Sequence, residues 1–272
     1  MGGGVAVENS TIPRMGLGTF GLTGEPGVKS LLNAISIGYR HFDTAQSYGT
    51  EESVGEAIAR SDLDRDAIFV TTKVRQENLG RLAASLDDSL RTLQLDHVDL
   101  LLIHWPATND NPPVRDYIGR LAEVQDKGKA RLIGVSNFTR RHVDEAIAEL
   151  GPGRIATNQI EQHLFLQNRV IADHCHDAGI AITAYMPLAN NEVDMPAVTQ
   201  IARKYKAGPN QIALAYLLAI GSIVIPRSAS PDHQKSNFDS SNLTLDADDM
   251  KALAAMDAGR RRVDPPWAPK WD

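Results

Sequence analysis

The chain has 272 residues, of which 42% are hydrophobic and 23% are charged, and this ordinary composition excludes disordered, collagen-like and coiled-coil proteins. Its 28 Lys and Arg against 34 Asp and Glu give a net charge of -6, which argues against nucleic acid or an anionic membrane as a partner, because both attract clustered positive charge. The single cysteine, Cys175, excludes an internal disulfide framework and is typical of the reducing cytoplasm.

Short runs rich in β-branched and aromatic residues alternate along the chain with segments of helical periodicity. Residues 5–13 resemble a small hairpin that turns at Glu8-Asn9. The pattern then predicts eight strands, at Met15–Gly18, Tyr39–Phe42, Ile68–Lys73, His97–His104, Leu132–Ser136, Ala156–Gln159, Ala181–Tyr185 and Ile223–Ile225. It predicts helices at Glu51–Arg60, Asn78–Leu93, Val114–Lys127, Arg140–Leu150, Asn168–Ala178, Pro196–Lys206, Pro209–Leu218, Pro231–Phe238 and Asp246–Asp257.

Eight strand–helix units of about 34 residues each match the α/β fold known as the (β/α)8 TIM barrel, which usually has about 250 residues. The hairpin would cap the bottom of this barrel, and the helix at 246–257 would be an extra one. The tail Val263–Asp272 contains three prolines and two tryptophans, so we expect it to lie over the surface or the barrel mouth rather than form a helix. No linker divides the chain, so residues 1–272 are predicted to form one domain.

The sequence Gly16-Leu-Gly18-Thr-Phe-Gly21 spells the G-x-G-x-x-G pattern of a Rossmann dinucleotide site, and Asp43 follows at a fitting distance. That motif should open a helix at once, whereas residues 22–27 read as a loop. No tyrosine has a lysine four positions later, as the short-chain dehydrogenases require. We therefore expect no Rossmann fold.

Four chemically competent side chains occur at or just after successive predicted strands. Asp43 and Tyr48 follow the second strand, Lys73 ends the third and His104 ends the fourth. Each has a structural explanation when taken alone: a turn cap, a rim aromatic, a surface cation and a core histidine. Because strand ends of a barrel converge, the four together favour one catalytic cleft.

Their chemistry is coherent for carbonyl reduction. A phenol is a proton donor of pKa ~10, and a nearby ammonium is expected to lower the pKa of Tyr48 toward neutrality. Asp43 would keep Lys73 charged, and His104 would orient a carbonyl oxygen. The set would donate a proton to a carbonyl while another group supplies hydride.

The same stretches carry a family resemblance. The segments Gly38-Tyr-Arg-His-Phe-Asp43-Thr-Ala-Gln-Ser-Tyr48-Gly, Thr71-Thr-Lys73, Ile103-His104-Trp-Pro106 and Gly134-Val-Ser136-Asn137-Phe138 resemble the aldo-keto reductase superfamily. The resemblance runs from about Ile12 to Trp267 and is greatest to the bacterial 2,5-diketo-D-gluconate and methylglyoxal reductases. It implies the catalytic tetrad Asp43, Tyr48, Lys73 and His104, with Tyr48 as the general acid.

The resemblance also implies an NADPH site in which Ser136, Asn137 and Gln159 hold the nicotinamide carboxamide and Tyr185 stacks on the ring. The implied cofactor-binding residues are Gly18, Thr19, Phe20, Asp43, Ser136, Asn137, Gln159, Tyr185, Met186, Leu188, Ala189, Ile225, Arg227, Ser228, Ser230, His233, Ser236 and Asn237.

Recognition of the adenosine end departs from the family pattern. Arg227 and Ser228 match the residues that hold the 2′-phosphate, but His233 and Ser236 stand where many members carry Arg and Glu. NADPH is therefore the expected cofactor, with NADH as a weaker alternative and Lys235 as a candidate replacement charge.

On the substrate side, the resemblance implies contacts from Phe20, Tyr48, His104 and Trp105. Phe165 and Trp267 are further candidates for the apolar wall. The loops Ala107–Pro113 and Asn190–Met195 are short, which favours an open pocket for small or sugar-derived carbonyls.

Two other functions remain alternatives at this stage. One is a nicotinamide-binding, redox-sensing regulatory protein on the same fold, against which the intact tetrad argues. The other is a metal-dependent hydrolase, but His174-Cys175-His176 lies on one helix where residues two apart do not share a face, so no metal is expected. We expect a cytoplasmic protein, because no apolar run reaches the ~20 residues of a membrane span and the N-terminus lacks a signal-peptide pattern. The family resemblance implies a monomer.

Overall fold

The computed structural model describes residues 4–7 and 10–272, with side chains from residue 12 onward. An antiparallel hairpin of β1 (Gly4–Val7) and β2 (Ser10–Pro13) comes first, as predicted, although its turn at Glu8-Asn9 lies outside the described residues. The following strands are β3 (Leu17–Gly18), β4 (His41–Asp43), β5 (Phe69–Val74), β6 (Val98–Ile103), β7 (Ala130–Ser136), β8 (Ile155–Glu161), β9 (Ala181–Tyr185) and β10 (Ile223–Val224).

The strands β3 to β10 pair in sequence order and all in parallel. The sheet closes on itself, because Met15 bridges Val224 and the N–H of Gly18 donates to the carbonyl of Pro226 at 3.1 Å. This is the predicted (β/α)8 barrel.

Helices connect the strands around the outside. Their bounds are α1 (Gly24–Ile37), α2 (Glu51–Arg60), α3 (Leu82–Leu93), α4 (Gly119–Asp126), α5 (Arg140–Leu150), α6 (Arg169–Asp177), α7 (Pro196–Tyr205), α8 (Pro209–Ala219), α9 (Pro231–Asp239) and α10 (Ala247–Ala254). Among the residues that the structure describes, no helix has the length and apolar character needed to cross a membrane.

Helix α1 contradicts the interpretation of residues 22–27 as a loop, because it begins at Gly24. Pro26 lies in its first turn, where a missing N–H costs nothing. Gly27 is required by a close approach: a Cβ there would lie 2.4 Å from the carbonyl carbon of Leu22. Gly24, Pro26 and Gly27 therefore have the composition of a loop, although they form the tightly packed first turn of a helix.

Alternation along the strands separates two apolar regions. On β6, Leu101 and Ile103 belong to the large core between sheet and helices, whereas Leu100 and Leu102 belong to a second cluster. Ile12 of the hairpin is fully buried in that second cluster. The hairpin therefore covers the end of the barrel where the strands begin and leaves the opposite end for the site.

The tail beyond α10 forms no helix and packs against the mouth of the barrel, as predicted. Trp267 meets Trp105 edge to face with ring centroids 4.9 Å apart, and Arg261 lies over the ring of Trp271 at 3.7 Å. Near the end of the chain, Asp272 accepts from the backbone N–H of Arg140 at 2.9 Å.

Candidate active site

The four predicted catalytic residues converge at the carboxyl ends of β4, β5 and β6. Lys73 is completely buried, with Nζ 2.5 Å from Asp43 Oδ1 and 2.8 Å from the carbonyl oxygen of Thr44. The same ammonium lies 4.8 Å from the centroid of the Tyr48 ring. The hydroxyl of Tyr48 lies 3.4 Å from His104 Nε2.

The charges of this cluster are set by burial and by the Lys73–Asp43 pair. Burial is the largest influence and by itself lowers the pKa of Lys73, but Asp43 and Tyr48 together outweigh it and the net pKa is raised. Lys73 is therefore a permanent cation beside Tyr48 at neutral pH.

The expectation that the pKa of Tyr48 falls toward neutrality is wrong in this structure. Burial disfavours the phenolate more than Lys73 favours it, so the pKa of Tyr48 is raised above its ordinary value. Burial, followed by the charges of Lys73 and Arg75, lowers the pKa of His104 to about 3. At neutral pH the site thus holds a protonated phenol beside a neutral imidazole.

A second set of polar side chains links β7, β8 and β9 to this cluster. Gln159 Nε2 donates to Asp43 Oδ2 at 2.7 Å. Asn137 Nδ2 donates to the carbonyl of His104 at 3.0 Å, and Tyr185 donates its hydroxyl proton to Asn137 Oδ1 at 2.9 Å. Asn137 has a φ of +61°, a left-handed conformation that asparagine tolerates better than most residues. These contacts hold the barrel end rigidly around the tetrad.

A cleft of about 960 Å³ opens above the cluster. Most residues predicted for the nicotinamide and substrate line it: Gly18, Thr19, Phe20, Asp43, Tyr48, His104, Trp105, Ser136, Asn137, Gln159, Tyr185, Met186, Ile225, Arg227 and Trp267.

A second cavity of about 650 Å³ shares Arg227 with the cleft. It is lined by Leu188, which was predicted for the loop near the pyrophosphate, and by five of the residues predicted for the rest of the cofactor site: Ser228, Ser230, His233, Ser236 and Asn237. Arg227 Nε donates to the carbonyl of Phe20 at 3.0 Å, so this side chain stands where the two cavities meet.

Three predicted positions lie elsewhere. Ala189 is fully buried and lines neither cavity, because its loop turns its methyl group into the core. Phe165 is buried in the core behind β8 and does not line the cleft. Lys235 pairs with Asp239 on its own helix, and its ammonium is not among the groups lining the second cavity.

Sequence reasoning missed several lining residues. The cleft also includes Gly21, Asn190, Arg262, Val263, Asp264 and Pro265. The second cavity also includes Asn191, Val193, Asp194, Pro209, Asn210 and Ala229. The composition of the tail predicted that it lies at the surface or the barrel mouth, and Trp267 was predicted to line the cleft, but nothing in the sequence indicated that residues 262–265 do so as well.

Comparison of the chain with known protein families shows which family it belongs to. The model of the aldo/keto reductase family matches residues 14–258. The chain belongs to the aldo-keto reductase family. Membership implies carbonyl reduction with a nicotinamide cofactor.

Individual relatives agree with this assignment. The aldo-keto reductase is 44% identical to methylglyoxal reductase DkgB of Escherichia coli O157:H7, over 96% of this chain and 99% of the relative. It is 41% identical to an aldo-keto reductase of Mycolicibacterium vanbaalenii, over 95% and 93% of the two chains. A crystal structure provisionally named 2,5-diketo-D-gluconic acid reductase B superposes with a TM-score of 0.94 at 38% identity, covering 100% of this chain and 98% of the other.

The cleft of this aldo-keto reductase has the polar groups that a nicotinamide carboxamide requires. Gln159 donates to Asp43, and its Oε1 accepts no hydrogen bond from residues 12–272. Ser136 Oγ donates to the carbonyl of Gln159 at 2.8 Å and accepts from Asn137 Nδ2 at 3.1 Å, which leaves an acceptor position. Two acceptors that line the cleft together with Tyr185 fit the amino group of a carboxamide.

The described residues contain no group of three or more His, Cys, Asp or Glu side chains placed to hold a metal ion. His174 instead contacts Asp144 at 2.8 Å, while Cys175 is buried. His41 is held by Thr71 Oγ1 at 3.0 Å within the barrel.

Proposed function

We propose that this aldo-keto reductase uses NADPH to reduce small or sugar-derived aldehydes and ketones, with methylglyoxal and 2,5-diketo-D-gluconate as candidate substrates. The observation that carries the proposal is the Tyr48 hydroxyl, 3.4 Å from His104 Nε2 and next to the buried Lys73–Asp43 pair, at the floor of an open cleft. The names of the similar proteins support the substrate classes.

In the proposed mechanism Tyr48 donates the proton to the carbonyl oxygen. Its raised pKa keeps the phenol protonated at neutral pH, so the proton is available when substrate binds. His104 is neutral, and we propose that it orients the carbonyl oxygen by a hydrogen bond from Nε2, which lies 3.4 Å from the Tyr48 hydroxyl oxygen. A reduced nicotinamide bound in the cleft would supply the hydride.

Lys73 stabilises the negative charge that develops on the Tyr48 oxygen as its proton is transferred. Its ammonium is desolvated and fixed near the Tyr48 ring, so it stabilises negative charge that develops only in the transition state. Asp43 holds this ammonium in place and, through Gln159, connects it to the proposed carboxamide site.

For the dinucleotide, we propose that Gln159 and Ser136 accept hydrogen bonds from the carboxamide and that Tyr185 stacks on the ring. Arg227, Ser228 and His233 would meet the 2′-phosphate in the second cavity, close to the first turn of α9. An imidazole lacks the paired N–H groups with which a guanidinium binds a phosphate, so NADPH is the proposed preference and NADH a usable alternative.

The substrate wall is proposed to be aromatic and open. Phe20 is 65% exposed and Trp267 is 40% exposed, and both line the cleft with Trp105. Arg262 also lines the cleft but pairs with Glu192. These features support small carbonyls over long, deeply enclosed ones.

We further propose that residues 1–272 act as one domain and as a cytoplasmic monomer. The single eight-stranded sheet and its continuous apolar core support the first point. Size-exclusion chromatography with light scattering tests whether the protein is a monomer.

The test is a steady-state assay of the purified protein with methylglyoxal and 2,5-diketo-D-gluconate, each with NADPH and NADH. The Tyr48→Phe variant serves as the blank for contaminating reductases. Turnover that depends on Tyr48 supports the proposal. Tight NADPH binding with only a single slow turnover would contradict it and favour the redox-sensor alternative.

A further inference from the structure

Glu161 is a buried carboxylate for which the proposed chemistry has no use. It ends β8, and its side chain is fully shielded from solvent. Its Oε1 accepts from His163 Nε2 at 2.9 Å and from the backbone N–H of Arg262 at 2.7 Å, while Oε2 accepts from the backbone N–H of Val263 at 2.8 Å. All three partners are donors, which suits an ionised carboxylate, since its oxygens only accept.

His163 orients this carboxylate. Its Nδ1 accepts from the backbone N–H of Phe165 at 3.2 Å, so that nitrogen carries no proton. The neutral ring therefore carries its proton on Nε2, which faces Glu161. Because the imidazole is also fully buried, the carboxylate is held in one orientation toward the tail.

The tail runs along the loop after β8 before it enters the cleft. The N–H groups of Ala258 and Arg260 donate to the carbonyl of Phe165 at 3.1 and 2.9 Å. Glu161 makes the next contacts along the chain, at Arg262 and Val263. Immediately afterwards, the tail lines the cleft that holds Tyr48 and His104, through Val263, Asp264, Pro265 and Trp267.

We propose that Glu161 is a positioning residue for carbonyl substrates, an inference that rests on the proposed function. It anchors the base of the tail wall, so that Val263 and Trp267 face the reacting carbonyl. Its side chain hydrogen-bonds to neither the tetrad nor Gln159 or Ser136. Its backbone pairs with Tyr185 in the sheet, and a substitution of the side chain leaves that pairing in place. Loosening the anchor therefore weakens carbonyl binding and leaves proton donation and dinucleotide binding intact.

Glu161→Gln tests this anchor with a nearly isosteric change, since the new amide nitrogen would face an N–H donor. We expect KM for methylglyoxal to rise about tenfold, the usual scale for a lost hydrogen bond to a charged group. We expect kcat and the Kd of NADPH to stay within about twofold, since the Glu161 side chain hydrogen-bonds to His163, Arg262 and Val263 and to no member of the tetrad.

Asp257→Asn is the matched control. Asp257 accepts from the N–H of Gln167 at 3.2 Å in the same tail–loop contact but does not line the cleft. KM should not change in this variant. An equal rise of KM in both variants, or a loss of kcat rather than a rise of KM in Glu161→Gln, would overturn the proposal.

Hydrogen exchange of the wild-type protein gives a second test that depends on neither activity nor a variant's folding. The amides of Arg262 and Val263 should exchange at least about 100-fold more slowly than that of Lys270 in the exposed tail. If the amides of Arg262 and Val263 exchange as fast as those of an unstructured peptide, the proposed anchor is contradicted, even if the enzyme reduces carbonyls. Protected amides in a protein that turns over no carbonyl would instead count against the proposed function alone.

Discussion

Lys73 Nζ lies 2.5 Å from Asp43 Oδ1 inside the barrel, where neither side chain has more than 2% of its surface exposed. Two opposite charges are thus removed from water together, and each is tolerable only because the other is present. This pair is the electrostatic basis of the proposed site. Loss of either partner is expected to destabilise the fold.

Lys73→Met is therefore expected to abolish turnover and to lower the free energy of unfolding by about 3–5 kcal/mol, because it leaves Asp43 buried without its counter-charge. Urea denaturation followed by circular dichroism measures the second effect. The double variant Asp43→Asn with Lys73→Met should recover part of the lost stability without recovering activity. A double variant less stable than Lys73→Met would contradict this account.

Tyr48→Phe should lower kcat by about 10²–10⁴-fold, the range for loss of a general acid. The Kd of NADPH should not change, since the substitution removes only a hydroxyl that faces His104. Tyr205→Phe is the matched control: Tyr205 donates one hydroxyl hydrogen bond, to Asp249, far from the cleft. Equal activity of the two variants would exclude Tyr48 as the proton donor.

The pH dependence follows from the two shifted groups. A proton donor acts below its own pKa, and the pKa of Tyr48 is raised above the ordinary tyrosine value of ~10, so the rate of reduction should fall only in strongly alkaline solution. His104, with a pKa of about 3, stays neutral throughout the working range. The profile of kcat/KM should then be flat from about pH 6 to 9. A transition centred near pH 6.5 would show that His104 titrates as an ordinary histidine.

His233→Arg should increase the preference for NADPH over NADH by about tenfold, because a guanidinium can bind a phosphate through two hydrogen bonds. The ratio of kcat/KM for the two cofactors measures this. Lys235→Gln is the control, since Lys235 is paired with Asp239 and should not affect the ratio. A lower ratio in Lys235→Gln would show that this lysine contributes to binding of the 2′-phosphate.

Gly27→Ala should destabilise the protein by about 1–3 kcal/mol, the usual cost of forcing an extra methyl group into a packed site. The new Cβ would lie 2.4 Å from the carbonyl carbon of Leu22. Gly80→Ala is the control, since its Cβ would meet nothing within 4 Å. Thermal unfolding of the two variants compares them directly, and equal Tm values would refute the close approach.

Helix prediction succeeded where local signals and packing agree. Helix α5 was predicted at its observed bounds, because Thr139 caps its first turn and Gly151 follows its last residue. Helix α1 was missed, because Gly24, Pro26 and Gly27 indicate a loop unless the backbone of Leu22 is known to press against them. The two helices differ because α1 depends on the contact between Gly27 and the backbone of Leu22, which the local sequence pattern does not reveal.

The sequence by itself determined the order of strands and helices and the identity of the four side chains at successive strand ends, because hydrophobic periodicity and barrel topology depend on neighbouring residues. Only the tertiary structure decided that burial outweighs Lys73 at Tyr48, that Phe165 faces the core, and that the tail reaches the cleft over Glu161. Each of these depends on residues brought together from distant parts of the chain, and a pKa or a cavity wall is set by the atoms around it rather than by sequence neighbours.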